Sequence, residues 1–108
     1  MRYLKNKYPN SNVSMIDRQS LKESDLLKKY DILIGAASSA NIVTPDMIKE
    51  GVILVDAGSF KKGRRIFGNF SEDCYQKSSF YTPVPGGIGP LTVTLLFKNL
   101  YKLYASRK

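Results

Sequence analysis

Short apolar runs alternate with charged stretches along this chain, and the runs end in glycine or other small residues. Tyr30-Asp31-Ile32-Leu33-Ile34-Gly35-Ala36-Ala37 and Val52-Ile53-Leu54-Val55-Asp56-Ala57-Gly58 are nearly continuous in apolar character, which is how a strand buried on both faces reads. Val13-Ser14-Met15-Ile16 predicts a strand stopping at Asp17-Arg18, and Phe80 to Val84 a last short one. Helical spacing appears between them. Met1 to Tyr8 predicts a short helix ended by Pro9-Asn10-Ser11, and Leu21 to Lys29 an amphipathic one capped by Ser20 or Ser24. Thr44 to Lys49 predicts a helical turn with Thr44 as N-cap and Pro45 in first position, closed by Glu50-Gly51. The charged stretch around Gly63, followed by Ile66 to Phe70, predicts a surface hairpin, and Ser71 to Lys77 one helical turn. A long final helix carries Val93, Leu96, Phe97, Leu100, Leu103 and Tyr104, with Gly89 as N-cap and Pro90 as first residue, leaving the amides of Leu91 and Thr92 free.

Strands that alternate with helices predict an α/β fold, a doubly wound parallel sheet with helices on both faces, which binds ligands beyond the carboxyl ends of its strands. Those ends are Asp17, Ala37, Gly58 and Val84, so the candidate functional residues share one edge. The stretch Tyr81-Thr82-Pro83-Val84-Pro85-Gly86-Gly87-Ile88-Gly89-Pro90-Leu91-Thr92 leaves that edge. Its prolines fix torsions beside glycines free to take positive φ, which shapes a backbone surface for a flat polar ligand or an anion; taken alone, it is equally a tight strand-to-helix connection.

Composition narrows the chemistry. A chain of 108 residues is one domain at most, and 43% apolar residues can supply a core. Without histidine, and with Cys74 as its single cysteine, the sequence has no imidazole base, no intramolecular disulfide and no thiolate metal cluster. No metal site and no catalytic acid or base is expected. The formal charge of +8 is compatible with nucleic acid, an anionic membrane or an acidic small ligand. The basic residues are scattered, however, so neither a nucleic-acid nor a membrane partner is expected, and the absence of a signal-like or spanning segment points to the cytosol.

The order Thr82-Pro83-Val84-Pro85-Gly86-Gly87-Ile88-Gly89-Pro90-Leu91-Thr92 resembles the signature Thr-Pro-Val-Pro-Gly-Gly-Val-Gly-Pro-Met-Thr of the bifunctional methylenetetrahydrofolate dehydrogenase/cyclohydrolase family. Asp31-Ile32-Leu33-Ile34, Asp46-Met47-Ile48-Lys49 and Val55-Asp56-Ala57-Gly58 resemble further family segments, so the similarity runs along essentially the whole chain. It implies a Rossmann-like domain that binds NADP or NAD. Pro85, Gly86, Gly87, Ile88 and Gly89 would line the tetrahydrofolate derivative, and a partner domain would supply a catalytic lysine and tyrosine. The family enzyme, expected as a homodimer, oxidises methylenetetrahydrofolate and hydrolyses the methenyl product.

The resemblance implies that Asp17 and Arg18 face the adenosine ribose or its 2′-phosphate, that Ala36 and Ala37 give backbone clearance beside the cofactor, and that Ser59 lies near the nicotinamide half. Asp17 reads equally as an exposed strand-end carboxylate, and the two alanines equally as packing residues. The chain departs from the family pattern at several places. Asp17-Arg18-Gln19-Ser20 stands for His-Ser-Arg/Lys-Thr, Ser38-Ser39-Ala40 for Gly-Lys/Arg-Pro, Gly58-Ser59-Phe60 for Gly-Ile-Asn, and Gly68-Asn69-Phe70 for Gly-Asp-Val. The catalytic domain is not in the sequence, nor are the first nucleotide-binding strand and its phosphate-binding turn. The expected sheet is therefore incomplete, with a strand lacking between Val13–Asp17 and Ile32–Ala37, as a truncated gene product or a mis-called start would give. Residues 1–108 would then be a partial NAD(P)-binding domain, inactive alone, or else a non-catalytic interaction domain derived from that scaffold.

Overall fold

The computed structural model describes residues 6–17, 19–22 and 25–106. Its centre is a three-stranded parallel sheet in the order β1 (Ile32–Gly35), β2 (Ile53–Asp56), β5 (Phe80–Tyr81). The register pairs Leu33 with Leu54 and Leu54 with Tyr81, so the carboxyl ends of all three strands lie along one edge. A separate antiparallel hairpin joins β3 (Phe60–Lys62) to β4 (Arg65–Phe67), and it turns at Gly63, where φ is +63°. Helix α1 (Asp73–Lys77) follows the hairpin, and helix α2 (Ile88–Ser106) follows β5.

The core forms on one face of the sheet. Leu33, Val52 and Leu54 project there and meet Leu27, Val43, Ile48, Phe70 and Cys74. Leu54 and Ile48 are fully buried, each gaining about 1.5–3 kcal/mol from leaving water. Thr44 precedes a 3-10 turn at Pro45–Met47, as its Thr-Pro sequence predicts, and the turn packs against α1. Gly51, at φ +78°, then redirects the chain into β2 in a conformation that favours glycine.

The structure corrects several expectations. Strand β1 is buried on one face only, because Ile32 and Ile34 are 55% and 58% exposed. It is an edge strand among the described residues. Val13 to Ile16 forms no strand and pairs with no neighbour among the described residues; apolar character without a ladder partner does not make a strand. The predicted helix from Leu21 to Lys29 is replaced by 3-10 turns at Ser20–Lys22 and Leu27–Lys29. Asp25, at φ +68°, lies between them and interrupts helical geometry. Strand β5 ends at Tyr81, three residues before the predicted boundary at Val84. Of the predicted N-terminal helix, Asn6 and Lys7 are helical and residues 1–5 lie outside the described residues.

Helix α2 begins at Ile88, so Gly89 is not its cap and Pro90 lies within the first turn, where a missing N–H costs nothing. By helix geometry the free donors move from Leu91 and Thr92 to Ile88 and Gly89. Every residue of α2 from Gly89 onward is exposed, including Leu91, Leu95, Leu96, Phe97, Leu100, Tyr101, Leu103 and Tyr104. No helix is long and apolar enough to cross a membrane among the described residues.

Cys74 is fully buried, its Sγ 3.4 Å from the carbonyl oxygen of Val43, and burial pushes its thiol pKa up. A thiol whose folded pKa exceeds its unfolded value, about 8.5, stabilises the fold below that value and loses the contribution as pH rises through the folded one. Alkylation of Cys74 by iodoacetamide is therefore expected to track global unfolding at neutral pH, with stability declining above about pH 8.5. Rapid labelling of the native chain at pH 7 would contradict this.

Candidate functional site

Parallel register and side-chain anchoring bring three loops to the carboxyl edge. The first is Ala36–Ser39 after β1, the second Ala57–Ser59 after β2, and the third Thr82–Gly87 after β5. Ala57 N–H donates to Gly35 O at 2.8 Å, and Asp56 N–H donates to Thr82 Oγ1 at 2.8 Å, so each loop starts from a fixed neighbour. Tyr81, just before the third loop, stacks on Tyr75 of α1 with ring centroids 4.0 Å apart.

Behind these loops sits a buried polar pair. Asp56 and Asn69 are each 1% exposed. One oxygen of the Asp56 carboxylate accepts from Gly58 N–H at 2.9 Å and Asn69 N–H at 3.0 Å, and the other accepts from Phe70 N–H at 3.0 Å. The Asn69 side chain reaches the first loop: its Oδ1 accepts from Ala37 N–H at 3.1 Å, and its Nδ2 donates to Ala37 O at 3.1 Å and Ser39 O at 2.7 Å. The pair thus joins the ends of β1 and β2 to the exit of the hairpin. Charge-assisted bonds from backbone amides compensate the carboxylate for its lost water.

Glycines make room for it. A Cβ at Gly58 would lie 2.7 Å from Asn69 Oδ1, and one at Gly35 would lie 3.1 Å from the same oxygen. In the third loop the peptide Val84–Pro85 is cis, Gly86 takes φ +103°, and a Cβ at Gly87 would lie 2.4 Å from Pro83 O. At Gly89 a Cβ would meet nothing within 4 Å, so packing among the described residues does not require glycine there.

Of the residues singled out from sequence, Ala36, Ala37 and Ser59 are exposed on the strand-end loops. Pro85, Gly86 and Gly89 are exposed and Gly87 and Ile88 half-buried on the third loop and the start of α2. Asp17 is exposed, and its carboxylate accepts Ser20 N–H at 2.8 Å, a bond that lowers its pKa. Arg18 lies outside the described residues. A cavity of about 1100 Å³ between the Tyr8–Asp17 segment and β1 brings Asp17 together with Ala36 and Ala37; Ser59 and the 85–89 loop do not line it.

Sequence reasoning gave no role to Asp56, Asn69 or Thr82. The available signal was a polar residue beside glycine at the end of an apolar run, in Val55-Asp56-Ala57-Gly58 and Gly68-Asn69-Phe70. A polar residue so placed must find buried partners.

A parallel sheet whose strand-end loops converge beside glycine cradles defines a nucleotide-binding α/β domain of the Rossmann-like class. Residues 1–108 match the model of the tetrahydrofolate dehydrogenase/cyclohydrolase NAD(P)-binding domain, and the chain belongs to that family. It is 38% identical over 106 residues to the bifunctional protein FolD of Nitratiruptor sp., covering 97% of this chain and 37% of that protein. The FolD of Clostridium perfringens is 36% identical over 94 residues, covering 86% and 34%. Among solved structures, FolD from Campylobacter jejuni superposes with a TM-score of 0.72 at 40% identity, over 81% of this chain and 32% of that one. The Trypanosoma brucei enzyme, complexed with NADP cofactor and inhibitor, gives 0.68 at 28% identity, over 77% and 31%. The chain thus spans about a third of the length of these relatives.

Proposed function

We propose that this chain is the dinucleotide-holding part of a methylenetetrahydrofolate dehydrogenase/methenyltetrahydrofolate cyclohydrolase. Convergence of the Ala36–Ser39, Ala57–Ser59 and Thr82–Gly87 loops on one edge carries the reading. The small, exposed Ala36, Ala37 and Ser59 on the first two loops suit close approach by NAD or NADP. Asp17 and Arg18 are assigned to the adenosine ribose or its phosphate. The chemistry such a cofactor supplies when bound is acceptance of hydride. The chain's own part is to hold and orient it, while Pro85 to Gly89 present backbone to a tetrahydrofolate derivative. The reading brings with it a cytosolic setting, a homodimeric enzyme and no nucleic-acid or membrane partner.

The loops 36–39, 57–59 and 82–87 carry no titratable side chain that could exchange a proton with the folate, so the 108-residue chain by itself is expected to bind but not to turn over. Calorimetric titration with NAD, NADP and a folate analogue tests this. Saturable binding of a dinucleotide without dehydrogenase or cyclohydrolase activity is the expected result, and reproducible turnover free of contaminating enzyme would refute the inactive assignment.

A second reading, a non-catalytic interaction domain on the same scaffold, draws on one observation: the large apolar side chains of α2 from Leu91 to Tyr104 are exposed. That reading predicts no heat with any of the three ligands.

A further inference from the structure

We infer that Asn69 is a positioning residue for the dinucleotide edge, acting through the backbone of the loop after β1. The inference rests on the proposed function and adds a residue to it. Asn69 is 1% exposed and so does not touch ligand itself. Its side chain spends three hydrogen bonds on Ala37 and Ser39, taking both backbone groups of Ala37 and the carbonyl of Ser39. Its own amide is held by Asp56 at 3.0 Å, and Asp56 also holds Gly58 N–H at 2.9 Å. One side chain therefore sets the height of the first loop relative to the second, the two loops between which the cofactor is assigned.

The sequence around the clamp supports this. Ser38-Ser39-Ala40 contains neither the glycine nor the proline of the Gly-Lys/Arg-Pro pattern it resembles, so its course is not set by restricted torsions. Asn69 stands where the resembling Gly-Asp-Val motif has an aspartate, a side chain without an amide donor group. The two Nδ2 bonds exist because this residue is an amide. The tolerance is tight, since Gly35 and Gly58 leave Asn69 Oδ1 no more space than a missing Cβ provides.

The test uses the full chain with Asn69→Ala and Asn69→Asp, reading dinucleotide affinity by calorimetry and backbone amide exchange by NMR. Asn69→Ala removes all three loop bonds but keeps the backbone amides that bind Asp56. It is expected to weaken NAD or NADP at least tenfold and to speed exchange of the Ala37 amide at least tenfold. The Leu54 and Phe70 amides should keep their protection, which separates positioning from general destabilisation. Asn69→Asp keeps the acceptor for Ala37 N–H but turns a carboxylate oxygen toward the carbonyls of Ala37 and Ser39, so a loss of affinity at least as large as that of Asn69→Ala is expected; it also carries the test if the alanine variant does not fold. Unchanged affinity in a variant whose Ala37 amide exchanges freely overturns the inference alone. Parallel loss of protection at Leu54 also overturns it, in favour of a purely structural role. No dinucleotide binding by the unaltered chain overturns the proposed function, and the inference with it.

Discussion

Asp56→Ala is expected to leave the chain largely unfolded at 25 °C. The carboxylate accepts the amides of Gly58, Asn69 and Phe70, and its removal strands all three in a region from which water is excluded. A buried donor left without a partner costs roughly 1–3 kcal/mol, and bonds to a charged acceptor stand at the upper end of the range. Three such losses take several kcal/mol from a domain whose whole stability is of order 5–15 kcal/mol. Urea unfolding followed by circular dichroism measures the effect. Asp56→Asn keeps one carbonyl oxygen but turns an NH2 group toward a backbone N–H, so it should fall between the alanine variant and the unaltered chain. A midpoint for Asp56→Ala equal to that of the unaltered chain would show that the network is dispensable.

This network also marks how far the fold was legible in sequence. Strands β1 and β2, the hairpin turning at Gly63, the Thr44–Pro45 turn and the long final helix all follow from local rules: apolar runs, a glycine at positive φ, a proline in a first turn. The errors arose where structure depends on a neighbour rather than on the segment itself. Val13 to Ile16 has strand composition but no ladder partner among the described residues. Ile32 and Ile34 have core composition, yet their side chains are exposed. Segments read one at a time could not reveal either fact.

Much of the candidate site was legible for a different reason. Ala36, Ala37 and Ser59 follow apolar runs, and parallel topology sends such ends to one edge whatever the loops contain. The clamp behind them was not legible, because Asp56 and Asn69 are 13 residues apart and meet only after the hairpin folds back. Asp17 shows the opposite problem. It lines the cavity, but it is exposed and its carboxylate accepts Ser20 N–H, a local bond made within three residues.

Gly68→Ala should match Asp56→Ala in severity, for a steric reason. A Cβ at Gly68 would stand 2.1 Å from one carboxylate oxygen of Asp56 and 2.6 Å from its Cγ, far inside contact distance. The carboxylate cannot yield by rotating, because Asn69 and Phe70 N–H hold its two oxygens and Gly58 N–H shares one of them. Nor can the backbone at Gly68 retreat freely, since its carbonyl accepts Asn41 N–H at 2.9 Å. Relief must come from breaking bonds on one side or the other, and we expect a loss of about 3 kcal/mol or more, in the range of overpacked cores and broken buried networks. Backbone torsion makes no contribution, because Gly68 is not among the glycines at positive φ. The two substitutions are therefore expected to be strongly non-additive. With Asp56 already alanine, the methyl group at position 68 enters vacated space, and its added cost should drop below about 1 kcal/mol. Trimethylamine N-oxide favours the compact state and brings the weakened variants into a measurable range for this double-mutant cycle. A coupling energy near zero would mean that Gly68 and Asp56 act independently, and the steric account of this glycine would fail.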